Sequence, residues 1–309
     1  MQNKGIPYAV VIGGANVDIC GAPKGTLITC DSNIGSVTTS PGGVARNIAE
    51  NLSLLGIESR LIAAIGCDHY GDLLLSNGQK SGINMEHSLR LEDMNTSTYL
   101  SVLNNDGDML VAINDMGIVD HLDANYLRDH EHMIKQANCI IIDANLSEDT
   151  LAYLMKTYAG QDIIVDTVSS TKALRIKSHL SSIHTLKANR QEAEALSGID
   201  DNLADMANWF HDQGVKRIFI TLGPEGVYYS NGKEQGQVTL SHSHPVINTS
   251  GAGDAFVAGI AYAIFQGWEI RQSTQFAASA ATVALAHQST INPAMSVAAI
   301  NKIREHEYG

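Results

Sequence analysis

The segment Asn248-Thr249-Ser250-Gly251-Ala252-Gly253-Asp254 precedes an apolar, small-residue stretch, Ala255 to Phe265, and therefore reads as a loop entering a helix. The first N–H groups of a helix have no acceptor within it, and the helix dipole is positive at that end. The N–H groups of Gly251, Ala252 and Gly253 can thus converge on an anion, and the glycines let a phosphate come close. Asp254 would stand beside that anion, where a carboxylate can accept a hydroxyl proton during phosphoryl transfer. The same residues also suit a purely structural role, because an Asp in a first turn complements the dipole and Gly-rich turns open many helices.

Other residues point to a polyol and a nucleotide. Pro41-Gly42-Gly43-Val44-Ala45-Arg46-Asn47 is a second Gly turn leading into a helix, with Asn47 placed among Val44, Ile48 and Leu52. Asn is a poor residue for a helix interior, but its amide donates and accepts, which suits a sugar diol as well as neighbouring backbone. Asn16 and Asp18 follow the first strand, where ligands bind in parallel sheets and where Asx turns are also common. Asn189 and Glu192 lie one turn apart at a strand-to-helix junction. They could serve phosphate and hydrated Mg²⁺, or form a capping box. Thr221, Gly223 and Gly226 make an open turn against which a nucleotide could lie.

These residues need a scaffold. Tyr8 to Ile12, Ser59 to Ile65, Cys139 to Ile142, Asp162 to Val165, His184 to Lys187 and Arg217 to Thr221 read as strands. Helical spacing is seen in Val44 to Leu55, Asp68 to Ser81, Ala124 to Gln136, Glu148 to Tyr158 and Leu203 to Gln213, with Gly56, Gly82 and Gly214 as stops. Such alternation implies a parallel sheet covered on both faces. Thr96 to Leu103 and Met109 to Asn114 alternate instead in period two around Asn104-Asn105-Asp106-Gly107, which predicts a hairpin. Cys20 to Ser40 has no helical period and could pair with that hairpin into a small second sheet. No repeat or linker divides residues 1–309.

With 44% hydrophobic and 17% charged residues, the composition is that of an ordinary globular protein, and no apolar run is long enough to span a membrane. The first ten residues lack the features of a signal peptide, so the expected location is the cytoplasm. The cysteines Cys20, Cys30, Cys67 and Cys139 form no C-x-x-C pair and are expected to be free and mostly buried. A formal net charge of −13 argues against nucleic acid as a partner.

In their order along the chain, Asn16 and Asp18, Gly42-Gly43 to Asn47, Asn189-x-x-Glu192, Thr221-x-Gly223 and Gly251-Ala252-Gly253-Asp254 resemble the ribokinase-like (PfkB) carbohydrate and nucleoside kinases. The resemblance covers essentially the whole chain. It implies an α/β fold, a three-layer α/β/α sandwich with a mostly parallel sheet and a small β-sheet lid formed by about 15–40 and 95–116. It further implies a homodimer contact through the lid, ATP on one side of the Gly251 loop, and a sugar or nucleoside on the other. On this resemblance Asp254 is the base and Gly251, Ala252 and Gly253 form the anion hole. Asn16, Asp18, Gly42, Gly43 and Asn47 hold the sugar. Asn189, Thr221, Gly223 and Gly226 face ATP, and Glu192 acts on Mg²⁺ through water.

Asn248 departs from the Asp that many members place beside a monovalent-cation site, which leaves potassium activation open. Within the family, Asn95 to Ser101, Met109 to Met116 and Pro41 to Gly56 are most similar to the pseudouridine kinases, which phosphorylate the 5′-hydroxyl of that C-nucleoside. Thr98 and Lys172, with Asp115 behind them, are then candidates for the uracil edge. Another sugar or nucleoside acceptor, or a binding protein without catalysis, are the competing readings. A dinucleotide oxidoreductase is disfavoured because Gly13-Gly14 does not continue as G-x-G-x-x-G.

Overall fold

The computed structural model describes residues 6–239 and 244–309. Residues 1–5, part of the opening stretch read above for a signal peptide, and residues 240–243 lie outside them. The strands are β1 Tyr8–Ile12, β2 Asn16–Pro23, β3 Gly35–Gly42, β4 Glu58–Ile62, β5 Ala64–Gly66, β6 Leu89–Leu91, β7 Thr98–Leu103 and β8 Met109–Asp115, then β9 Cys139–Asp143, β10 Ile163–Asp166, β11 Thr185–Asn189, β12 Arg217–Thr221, β13 Val227–Ser230 and β14 Gln235–Val238. The helices are α1 Val44–Leu54, α2 His69–Ser81, α3 Ala124–Asp129, α4 Glu131–Lys135, α5 Glu148–Thr157, α6 Ser170–Ala173, α7 Arg190–Ser197, α8 Leu203–Asp212, α9 Ala252–Phe265, α10 Ile270–Leu285 and α11 Val297–Tyr308.

Eight strands form the central sheet in the order β14-β13-β12-β11-β10-β9-β1-β4. From β12 to β4 every pairing is parallel, and only β13 and β14 run antiparallel at one edge. Strand alternation sends Val10, Ile12, Ile140 and Ile142 into a core with Leu127, Leu151, Leu196 and Phe210. Their neighbours Ala9, Val11 and Ile141 pack on the other face with Ile48, Leu74, Val257 and Phe276. Because both faces are apolar, helices must cover both, and the result is the three-layer α/β/α sandwich that the alternating pattern predicts.

Chain order reverses between β1 and β9, since β4 continues from β1 in one direction and β10 to β12 continue from β9 in the other. Such a switch point opens a crevice beyond the strand ends. A separate four-stranded sheet, ordered β3-β2-β7-β8, stands beside it. The chain turns from β3 into α1 at Gly43, whose φ of 100° suits glycine and where a Cβ would lie 2.5 Å from the Gly14 carbonyl.

Three expectations need correction. The strand read over Ser59 to Ile65 is split, with β4 ending at Ile62 in the central sheet and β5 pairing with β6 in a two-stranded sheet. The helix read over Ala124 to Gln136 is interrupted at His130, whose φ of −106° and ψ of 6° leave the helical region. Of the four thiols only Cys139 is buried; Cys30 and Cys67 are exposed because they lie in the connections after β2 and β5. No helix among the described residues is long and apolar enough to cross a membrane.

Candidate active site

The crevice is lined by residues that follow the carboxyl ends of β1, β9, β10, β11 and β12, with the heads of α1 and α9 closing it. Gly251 is the residue before α9 and has φ 79°, a left-handed conformation in which a Cβ would meet the Thr290 carbonyl at 2.3 Å. No side chain caps this helix. The first bond of its ladder runs from the Ala255 N–H to the Gly251 carbonyl at 2.9 Å, so the N–H groups of Ala252, Gly253 and Asp254 have no acceptor within the helix. The N–H of Gly251, the residue before the helix, has no acceptor within it either, so the free donors include the Gly251-to-Gly253 set expected from the sequence and extend to Asp254. Asn248 fastens the preceding loop, donating to the Gln288 carbonyl at 2.7 Å and accepting the Ser250 N–H at 2.9 Å.

Asp254 is buried at the head of α9. Burial pushes its carboxyl up to about 7, with further upward pressure from Asp166 and opposing pulls from the Asn47 hydrogen bond and Lys187. The Asn47 amide donates to Asp254 at 2.8 Å, while its oxygen accepts from Arg46 at 2.9 Å. Arg46 is itself buried against Glu50, Asn77 and the Pro41 carbonyl, and burial lowers its pKa to about 10. Asn47 is thus oriented toward the carboxylate.

Asn16 and Asp18 are joined at 2.6 Å. Asp18 lies over Gly42, where a Cβ would be 2.2 Å from its Oδ2, so the pair needs glycine opposite it. Burial raises the Asp18 pKa, partly offset by Asn16 and Arg46. Asn16, Asp18, Gly42, Gly43 and Asn47 are thereby assembled around one spot. Asp143, which the sequence reading passed over, ties this floor together. The Gly14 and Ala45 N–H groups both donate to its Oδ2 at 2.9 Å, and the Asn145 N–H donates to Oδ1 at 2.9 Å. Lys172 joins from α6 by donating to Asn145 Oδ1 at 2.6 Å, which places it beside the Asp143 network.

Thr98 does not join this group. Its β7 position pairs with Val17 and Asp115, the opposite face of the small sheet from Asp18, and it lines a separate cavity of about 470 Å³ with Asp68, His69, Tyr70 and Asp115.

On the far side, Lys187 is buried 3.1 Å from Asp166, and a Cβ at Gly253 would lie 3.1 Å from its Nζ. Burial pulls the ammonium down, but Asp166 and Glu192 outweigh it, so its pKa is raised and the charge is kept beside the α9 donors. The signal for Lys187 was a lysine inside an otherwise apolar strand, and for Asp143 and Asp166 a carboxylate ending an apolar run. Asn189 and Glu192 form the capping box: the Asn189 side chain accepts the Glu192 N–H at 2.9 Å, and Glu192 accepts the Asn189 N–H at 2.8 Å. Thr221 ends β12 next to Asn189, and Gly223 opens the turn that follows. Gly226 follows that turn at φ 94°, where a Cβ would run into the Val238 carbonyl, so the glycine shapes the β12–β13 connection.

This arrangement sets a buried carboxylate between a cluster of polar side chains and the unpaired N–H groups at the head of α9. Residues 7–297 match the pfkB family of carbohydrate kinases. The chain is 41% identical over 303 residues to pseudouridine kinase of Escherichia coli, covering 97% of each chain. A putative sugar kinase from Clostridium perfringens superposes with a TM-score of 0.87 at 32% identity, covering 98% of this chain and 96% of that one. A putative ribokinase II from E. coli in complex with ATP and Mg²⁺ superposes at 0.84 with 17% identity, covering 98% of this chain and all (100%) of that one, a likeness of fold. The chain belongs to the pfkB family of carbohydrate kinases and is a phosphotransferase with an alcohol group as acceptor.

Proposed function

We propose that the protein transfers the γ-phosphoryl group of ATP to the 5′-hydroxyl of pseudouridine. The observation that carries this reading is the buried Asp254 at the α9 donors, held by Asn47 from the acceptor side. A carboxylate whose pKa lies near the working pH is suited to taking a hydroxyl proton as the bond to phosphorus forms. As the acceptor oxygen attacks, negative charge builds on the transferring group, and the α9 N–H groups with Lys187 stabilise it. Asn16, Asp18 and Asn47 hold the ribose diol, Lys172 approaches the base, and the nucleotide lies along Asn189, Thr221 and Gly223.

Mg²⁺, when bound, would supply positive charge that offsets the charge on the phosphates. Glu192 fits this role through water only, because both of its oxygens already accept protein donors and Oε1 takes just one, from Asn189 at 2.8 Å.

The small sheet acts as the lid. Val37, Leu100, Val111 and Ile113 are exposed on its outer face and support pairing of two copies there. The exposed free thiols of Cys30 and Cys67 fit a reducing compartment, the cytoplasm.

The identity with pseudouridine kinase supports the choice of acceptor over ribose or another nucleoside. ATP consumption with Mg²⁺ across pseudouridine, uridine, adenosine, ribose and fructose tests it. Pseudouridine should give the highest kcat/KM, and a preference for any other acceptor on this panel refutes the assignment.

A further inference from the structure

The two faces of the small sheet differ in chemistry, and the pairing register shows which one meets the acceptor. Asp18 of β2 lies opposite Ser40 of β3 and Tyr99 of β7, and Tyr99 lies opposite Asn114 of β8. Partners in register share a face, so Ser40, Asp18, Tyr99 and Asn114 form one polar row across all four strands. The next row on that face is Thr38, Cys20, Ser101 and Ala112. The opposite face carries Val17, Ile19, Leu100, Ile113, Val37 and Val111.

The row is anchored at its Asp18 end. Asp18 is bonded to Asn16 and sits over Gly42, two residues before α1. On the other face, Val17 is buried in the core cluster that includes Leu74 of α2. Arg46 of α1 lies close enough to both Asp18 and Asp254 to interact with their charges and donates to Asn47, so the polar face looks onto the head of α1, where Asn47 meets Asp254, and the row leads from the diol site outward.

Tyr99 is half-buried, and its hydroxyl reaches Met109 Sδ at 3.3 Å, so its ring leans along the same face and offers a flat apolar surface. Asn114 is exposed, and its side-chain amide has no hydrogen-bond partner among the described residues. An Asn amide presents a donor and an acceptor in one plane, which complements a ring N–H beside a carbonyl.

We infer that Tyr99 and Asn114 are the base-reading part of the acceptor site, Tyr99 stacking on a pyrimidine and Asn114 pairing with an imide edge such as that of uracil. This rests on the nucleoside reading above and assigns its specificity to the polar row rather than to Thr98. Stacking on an aromatic ring accepts any base, whereas the amide selects among edges.

The test compares kcat/KM for pseudouridine, cytidine and ribose in the wild type, Asn114→Ala, Asn114→Asp and Tyr99→Ala, with unchanged thermal melting confirming the fold. Asn114→Ala should lose ~10-fold or more on pseudouridine and nothing on ribose, which has no base. Asn114→Asp, an acceptor only, should shift the pseudouridine-to-cytidine ratio toward cytidine by ~10-fold. Equal losses on pseudouridine and ribose, or an unchanged ratio, overturn the assignment while leaving the kinase reading intact. A wild type that does not prefer pseudouridine to ribose overturns both.

Discussion

Asp254 is the residue at which function and stability oppose each other. Its carboxyl is held near pH 7 rather than in the usual carboxylate range, so the charged form is disfavoured in the folded chain. That sign sets how both activity and stability depend on pH. Turnover should fall as pH drops through about 7, because the base becomes protonated; a kcat/KM profile flat from pH 5 to 8 would contradict the assignment. Asp254→Asn should leave acceptor binding largely intact while lowering kcat by roughly 10² or more. The same substitution removes a buried charge whose cost builds as pH rises from the ordinary carboxylate range and is fully present above the folded value of about 7. It should therefore raise the melting temperature at pH 8 by roughly a few degrees and change it much less at pH 5. Asn47→Ala should raise the KM for the acceptor and remove the donor to Asp254; unaltered acceptor dependence excludes it from the site.

Among the elements, α9 depends most on one backbone conformation. Gly251→Ala would place a methyl against the Thr290 carbonyl at a left-handed φ. A loss of ~1–3 kcal/mol in stability, together with weaker ATP binding, is expected in denaturation and titration experiments. The central strands and α1, α2, α5 and α8 were legible because their periodicity is unbroken and their ends carry Gly or capping residues. The Arg217–Thr221 strand agrees end to end with β12. The β13–β14 pair was missed because Val227–Ser230 and Gln235–Val238 are four residues each, too short to show a period. α10 was missed because Ile270–Leu285 alternates Ala, Ser and Thr, whose burial depends on close packing against α9. In the site, the Gly-rich turns and Asp254 could be read from types and spacing. Asp143 and Lys187 carried only the weaker signal of a polar residue in an apolar strand, and their partners come from elements far apart in sequence.

For the whole molecule, the exposed apolar face of the small sheet supplies the next expectation. Ile113→Asp should convert a dimer to a monomer in size-exclusion chromatography, and a wild type already monomeric at micromolar concentration would remove the proposed contact. The sheet's other attachment has a different consequence. β3 passes into α1 through Gly43, and the fourth residue after it, Asn47, touches Asp254. On the proposed reading, a shift of the sheet onto an arriving nucleoside would reach the Asp254 carboxylate through this short connection. Readiness to react would then be tied to occupancy, which would hold idle hydrolysis of ATP low while the nucleoside is scarce.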